Sequence, residues 1–281
     1  MIHVSGDPVA LIMESGIANN DQREELRQQL GIDRPFIVQY RDFVVEAIQG
    51  NLGRSLRFRQ PALEIVLERI PATIHLAVGA MLFSIVIAVP VGIITAIRPH
   101  GLISLIARLL TLVGQSVPLF WLGIMFVLIF SVWLRWLPVA GRFEPTSIIL
   151  PATTLGLYPM ARIARILRVS MLEALSMEYC RTARAKGLPE TTVIIAHVLR
   201  NAAVPVVTVM GLQFGYLLGG AVVTETIFAW PGVGWLSVQA VVARDLPLVQ
   251  AIIVVVASMY IFINLVTDVF CAYLNPQIIY D

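Results

Sequence analysis

Hydrophobic positions run in long uninterrupted blocks along this chain, and the polar ones gather between the blocks. Four stretches contain no Asp, Glu, Lys or Arg: Ala72–Ile97, Leu109–Leu134, Asn201–Thr224 and Leu246–Thr267. A bilayer core of about 30 Å takes roughly 20 mainly apolar helical residues to cross, and each stretch is long enough. A fifth, Pro145–Ala161, is shorter but extends through Arg162 if its basic face leaves the membrane. Barrel strands would alternate in polarity, which these blocks do not. The pattern therefore predicts an all-α polytopic membrane bundle with five visible spans. Pro90, Pro118, Pro151, Pro159 and Pro205 fall inside the blocks, and each is expected to bend or break its helix.

Residues 1–70 differ in kind, mixing ten acidic with eight basic side chains. Asp21 followed by Glu24 resembles a capping box, and Gly31 can close that helix. Asp33 and Pro35 open a second helix with Phe36, Tyr40, Phe43 and Ala47 on one stripe, which Gly50–Gly53 breaks. Pro61–Ile70 then leads into the first complete span. The chain divides into a small helical outer segment, 1–70, and a membrane domain, 71–281.

The connecting loops give an orientation. Arg98–Arg108 holds two arginines, and Arg162–Arg200 holds Arg162, Arg165, Arg168, Arg181, Arg184, Lys186 and Arg200; the opposite loops hold only Arg135, Arg142 and Arg244. Basic residues concentrate on the cytoplasmic side. The long basic loop and the C-terminus are thus expected inside, and residues 1–70 outside. An outward segment needs a signal or a preceding span to translocate it, and Met1–Val9 is neither.

Composition agrees with lipid as the solvent: 14% of residues are charged, against roughly 25% in soluble domains. A net charge of +2 is too small to suggest a nucleic-acid partner. Cys180 and Cys271 stand far apart and read as small packing residues, while His3, His75, His100 and His197 are scattered, so no metal-ligand spacing exists. Lys186, the only lysine, sits in an AKG tripeptide rather than a phosphate-binding G-x-x-x-x-G-K-[ST] loop. There is no nucleophile–base constellation. Catalytic, cofactor-binding and metal residues are therefore expected to be absent, and ATP hydrolysis by this chain is excluded in its usual form. Gln115, Ser116, Gln213, Glu225, Asn264 and Asp268 are the polar residues at or near membrane depth. Such groups face a bundle interior or a water-filled path. Gln115 and Gln213 are the best pore-lining candidates, with helix–helix hydrogen bonding the alternative.

Residues 171–200 read MLEALSMEYCRTARAKGLPETTVIIAHVLR. The first part continues the preceding helix toward Lys186, Gly187 terminates it, and Pro189 with Glu190 suits the first turn of the next. The second arm is apolar at Val193, Ile194 and Val198. Charge alone makes this an ordinary basic loop.

The motifs make it specific. RTARAKG followed by HVLRNAAVP resembles the EAA-type coupling loop of binding-protein-dependent ABC importer permeases. Arg181, Thr182 and Ala183 take the places of Glu-Ala-Ala, and Gly187 takes that of the closing glycine. The missing Glu is similar to the peptide and nickel branch. Gly219–Gln250, with its IF-WPG-G-L and RD-P-VQ patterns, resembles the outer loop of that branch. GNLGRSL followed by ERIPATIHL resembles the approach to its second span. The resemblance implies a type I importer permease, half of a translocation path for di- or oligopeptides, glutathione, nickel or similar solutes. It further implies a second permease, two ABC ATPase subunits and an outer solute-binding protein as partners, in a bacterial inner membrane. Arg181, Thr182, Ala183, Arg184, Lys186 and Gly187 would form the loop that docks on an ATPase subunit. Members of the branch have six spans, the first ending before a Gly-Asp-Pro turn. Gly6-Asp7-Pro8 lies at the start here, so roughly 20–30 further residues forming a first span are expected.

A self-contained channel or secondary transporter is the competing class, but a coupled carrier would bury carboxylates at mid-membrane. A membrane-embedded enzyme lacks its catalytic cluster. Trp230 and Trp235 are expected as interfacial anchors of an outer, partly re-entrant segment.

Overall fold

The structure, a computed structural model, describes residues 35–274, and among them only helices and connections occur, with one isolated bridge between Arg54 and Pro61. The expectations for Asp21–Gly31, for a preceding span and for Cys271 as a packing residue lie outside what is described of backbone or side chain. The chain forms two compact units, one of residues up to 66 with Gln239–Ile253, the other of Leu67–Val238 with residues from 254 on.

In the first unit, helix α1 (Phe36–Ile48) starts after Pro35, as expected. Tyr40 of its expected stripe is exposed, whereas Phe43 and Ala47 are half-buried. The helix closes at Gly50, whose φ of 81° allows Gly50 N to donate to Ala47 O (3.0 Å) and Asn51 N to Glu46 O (2.9 Å). These two bonds form a Schellman cap. Leu52, Ile65, Val66, Ala240, Leu248 and Ala251 are buried in this unit.

Helix α2 (Ala62–Ile97) has 36 residues and stays continuous through Pro71 and Pro90. At 1.5 Å per residue it is about 54 Å long, well beyond a bilayer core. Helix α3 (Leu102–Ser116) is followed by α4 (Leu119–Phe126), which continues as a π-helical segment, Val127–Trp133. The expected single span Leu109–Leu134 is thus a bent pair, turned by 110° between Ser116 and Leu119. The cause is Pro118, which takes an extended ψ of 134° and acts as the N-cap of α4. It has no N–H for a continuing helix to use.

A 3-10 turn, Pro145–Ile148, leads into α5 (Ile149–Ser176), and a short helix α6 (Glu178–Ala185) follows. Glu190–Thr192 and the π-helical Val193–Leu199 run straight into α7 (Arg200–Ile227), then come α8 (Val233–Val242) and α9 (Leu246–Leu274). Pro159 and Pro205 lie inside continuous helices, and Pro151 falls in the first turn of α5. Of the expected breaks, only the one at Pro118 interrupts a span.

Three helical runs are long and apolar enough to cross a membrane, Ala62–Ile97, Glu190–Gly219 and Leu246–Phe270, and the bent pair can supply a fourth crossing. Helix α5 is also long enough, at 28 residues, but carries Arg162, Arg165 and Arg168. It is the centre of the second unit, packing most extensively on α7 and next on α3. Against α2 it comes unusually close: Ser84 Oγ donates to Gly156 O at 2.7 Å, and a Cβ at Gly156 would lie 2.5 Å from Ala80 O. The exposed faces of α2 and α9 are apolar, with Leu82, Val86, Ile261, Phe262 and Leu265 all more than half exposed, as lipid requires.

Candidate functional site

The loop between α5 and α7 is built as a compact, basic turn. Helix α5 does not continue to Lys186. It stops at Ser176, because Met177 adopts an extended ψ of 151°, and α6 restarts at Glu178. The break re-aims α6 so that Cys180 (0% exposed) and Ala183 (5%) join the hydrophobic core. The Cys180 thiol donates to Ala174 O at 3.2 Å, which confirms it as a packing residue. Arg181, Thr182, Arg184, Lys186 and Gly187 are left exposed, so Ala183 alone of the six expected loop residues points inward.

Gly187 closes α6 with a φ of 76°. Gly187 N donates to Arg184 O (2.9 Å) and Leu188 N to Ala183 O (3.3 Å), a second Schellman cap. Pro189, with ψ of 145°, then starts the next helix at Glu190. The turn is clamped by a two-point ion pair: Arg184 Nη2 donates to Glu190 Oε1 at 2.7 Å, and Nε to Oε2 at 3.1 Å. Hydrogen bonding to Glu190 holds the Arg184 guanidinium above its ordinary pKa. Arg181 and Lys186 have no ion-pair partner among the described residues, which leaves the outer edge of the turn cationic. Val193 and Val198 on the following arm are buried.

The two amides singled out for the pore are both engaged by α5. Arg162 Nη1 donates to Gln213 Oε1 at 3.2 Å, and Arg165 Nη2 donates to Gln115 Oε1. Arg168, the third in the row, donates from Nε to Thr95 O at 3.3 Å, satisfying a carbonyl in the last turn of α2. Gln213 is buried and Gln115 half-buried. Among the described residues, no group of three or more His, Cys, Asp or Glu side chains could hold a metal ion.

Residues 88–280 match the family described as the binding-protein-dependent transport system inner membrane component. The chain belongs to this family. It is thus the membrane component of an ABC importer rather than its ATPase, and a multi-pass inner-membrane protein. It is 40% identical to the di/tripeptide transport system permease protein DppB of Pseudomonas aeruginosa, aligning 98% of this chain with 90% of that one. To the glutathione transport system permease protein GsiC of Escherichia coli K12 it is 42% identical, over the same shares. The fold matches that of the MetNI methionine ABC transporter in an inward-facing conformation, with TM-score 0.64, 17% identity, and 75% of this chain and 96% of that one covered. An amino acid ABC transporter matches with TM-score 0.60 at 15% identity, over 75% and 94%.

Two further clusters in this importer component explain motifs that the sequence marks without revealing their purpose. In the second unit, the buried Glu225 carboxylate gathers the WPG segment. It accepts from Thr73 Oγ1 (2.7 Å) and from the Trp235 amide (3.0 Å), while Thr73 Oγ1 itself accepts from Val233 N (2.9 Å). Gly232 packs so closely on that carboxylate that any Cβ would collide with it. Trp230 is 1% exposed and donates from Nε1 to Ala72 O at 2.8 Å. It is a buried strut and not an interfacial anchor, because its indole N–H has found a carbonyl inside the protein. In the first unit, Asp245 of the RD-P-VQ pattern caps α9 by accepting from Leu248 N (3.3 Å), and also accepts from Ser55 Oγ (2.5 Å) and Arg57 N (3.2 Å). Glu225 and Asp245 are visible in sequence only as isolated acids; the partners that tie them to distant chain, Thr73 for Glu225 and Ser55 and Arg57 for Asp245, lie more than a hundred residues away.

Proposed function

We propose that this chain forms half of the translocation path of an importer for di- or oligopeptides or similar small solutes, with residues 171–200 as its contact to an ATPase subunit. The observation that carries the reading is the α6–Gly187 turn: a rigid, capped, cation-edged element whose inner face is anchored in the core through Cys180 and Ala183. An element built that way passes a push on its tip into α5 and α7, as ATP-driven closure requires. The relatives named for dipeptide and glutathione transport support small peptides as the solute class.

On this reading the partners are a second homologous permease, two ABC ATPase subunits and an extracytoplasmic solute-binding protein. The basic turn and the C-terminus face the cytoplasm, and residues 1–70 lie outside. Gln115 and Gln213 border the path through the arginines they hold.

The test is reconstitution of the chain with candidate ATPase, permease and binding-protein partners in proteoliposomes. ATP-dependent uptake of labelled alanyl-alanine is expected, and none by this chain alone. Uptake of glutathione but not of alanyl-alanine would assign it to the glutathione arm. Uptake of nickel alone would remove peptides from the reading.

A further inference from the structure

One face of α5 carries Tyr158, Arg162 and Arg165 at spacings of four and three residues, which stacks them along the helix. Gln213 of α7 and Gln115 of α3 accept from the two arginines. Beside them the rings of Tyr158 and Tyr216 lie 5.6 Å apart. At 1.5 Å per residue, the residues on α5 and α7 lie about 16 to 27 Å from the end of their helix nearest the basic loop, well inside those helices, and Gln115 sits at the bend between α3 and α4.

The charges of this cluster are not neutralised. Among the described residues the ion pairs are Arg41–Asp42 and Arg184–Glu190, so Arg162 and Arg165 have none. Each guanidinium spends one of its five donors on a neutral amide oxygen, which orients the fork without cancelling its charge. Both arginines are exposed on this chain, and Tyr216 is 55% exposed. Gln213 is 3% exposed, and its Nε2 has no hydrogen-bond partner. Arg168 differs, since it serves the end of α2. Two unpaired guanidiniums at this depth are too costly to face acyl chains, and ionisable groups inside spans line water-filled paths or meet an opposite charge.

We propose that this face lines the solute path and that Arg162 and Arg165 together bind a carboxylate of the passing solute, with the Tyr158–Tyr216 pair taking its apolar part. A guanidinium fork matches a carboxylate at two points, and two forks a helical turn apart suit a group that must be held and then released. The inference rests on the importer reading above and assigns the chemistry recognised within it.

Two measurements decide it. In the complete transporter, with the same solute-binding protein throughout, the preference for alanyl-alanine over its C-terminal amide should collapse at least tenfold in the Arg162→Gln/Arg165→Gln variant. Equal losses of both solutes, or an unchanged preference, would show that the arginines only hold helices together. A wild-type complex importing neither alanyl-alanine nor glutathione would defeat the peptide reading instead, and the second measurement then decides the inference alone. For that, Tyr216→Cys is placed in the complete transporter with Cys180 and Cys271 replaced by serine. Its reaction with an anionic methanethiosulfonate should outpace that with a cationic one about tenfold, after correction for their intrinsic reactivities. The preference should disappear when both arginines are glutamine. No reaction with either reagent, or no anionic preference, overturns the proposal, as would follow if a partner subunit's carboxylate occupied the arginines. Should the double variant fail to assemble, the rates with both arginines in place still decide.

Discussion

Glu225 is one side chain holding the first third of α2, the end of α7 and the start of α8 in register. Its partners are a hydroxyl and main-chain amides that no other acceptor can serve once they are buried. Glu225→Ala should leave each orphaned donor costing about 1–3 kcal/mol, enough to lower the thermal midpoint of the detergent-purified protein by several degrees. Gly232→Ala should do the same by a different route, since its Cβ must displace that carboxylate. A midpoint unchanged in both variants would show that the WPG segment does not depend on Glu225. Gly187 makes the opposite case. Nothing lies within 4 Å of a Cβ built there, so its requirement is set only by the backbone at φ 76°. Gly187→Ala should therefore cost about 1–2 kcal/mol of left-handed strain, and Gly187→Asn less, because asparagine adopts that conformation more readily. Co-purification of the ATPase subunits is expected to fall in the order glycine, asparagine, alanine; an alanine variant as competent as wild type would mean that the turn is not read.

At the scale of elements, α6 is defined by its two ends, an extended Met177 and a left-handed Gly187, with Arg184 and Glu190 clamping the turn that follows. Arg184→Glu places two carboxylates in contact and should open the turn, reducing ATPase-subunit binding and transport while leaving membrane insertion intact. The exchanged pair Arg184→Glu/Glu190→Arg separates two roles. If the partner reads the shape of the turn, binding returns; if it reads the Arg184 charge itself, the exchange does not restore it. Pull-down of the ATPase subunits with each variant distinguishes these outcomes. The helix ends follow one rule throughout. Ala229 at φ 45° and Arg244 at φ 55° close α7 and α8 with the same pair of bonds that Gly50 and Gly187 make. At the glycines the sequence marks the stop; at Ala229 and Arg244 it does not, because there the following residues, Trp230 and Asp245, are what hold the chain in place.

For the whole molecule, the charge asymmetry of the loops sets a testable topology. Phe143 is 92% exposed in the connection before α5, and Lys186 is exposed at the tip of the basic turn. In cells lacking the native thiols, Phe143→Cys should react with a membrane-impermeant maleimide added from outside, and Lys186→Cys only after permeabilisation. The reverse pattern would invert the orientation. Gly234 is unsuitable as a reporter, since a side chain there would meet the main chain of Val222 at 2.6 Å.

The sequence by itself determined the solvent, the all-helical class, the runs that become α2, α5, α7 and α9, the stop at Gly187 and the family. These depend on the length of apolar runs, on glycine and proline punctuation and on local motifs, all of which are properties of neighbours along the chain. It also pointed to Gln115 and Gln213, as polar atoms that apolar spans must somehow satisfy. Only the tertiary structure decided what their amide oxygens accept from, the Arg162 and Arg165 guanidiniums some fifty residues away. It likewise decided that Trp230 is buried rather than interfacial, that Pro118 bends its span whereas Pro90 and Pro205 leave theirs whole, and that α5 stops at Met177. Each depends on which neighbour from another helix is present to accept a bond or fill a void, and a single chain of letters does not carry that information.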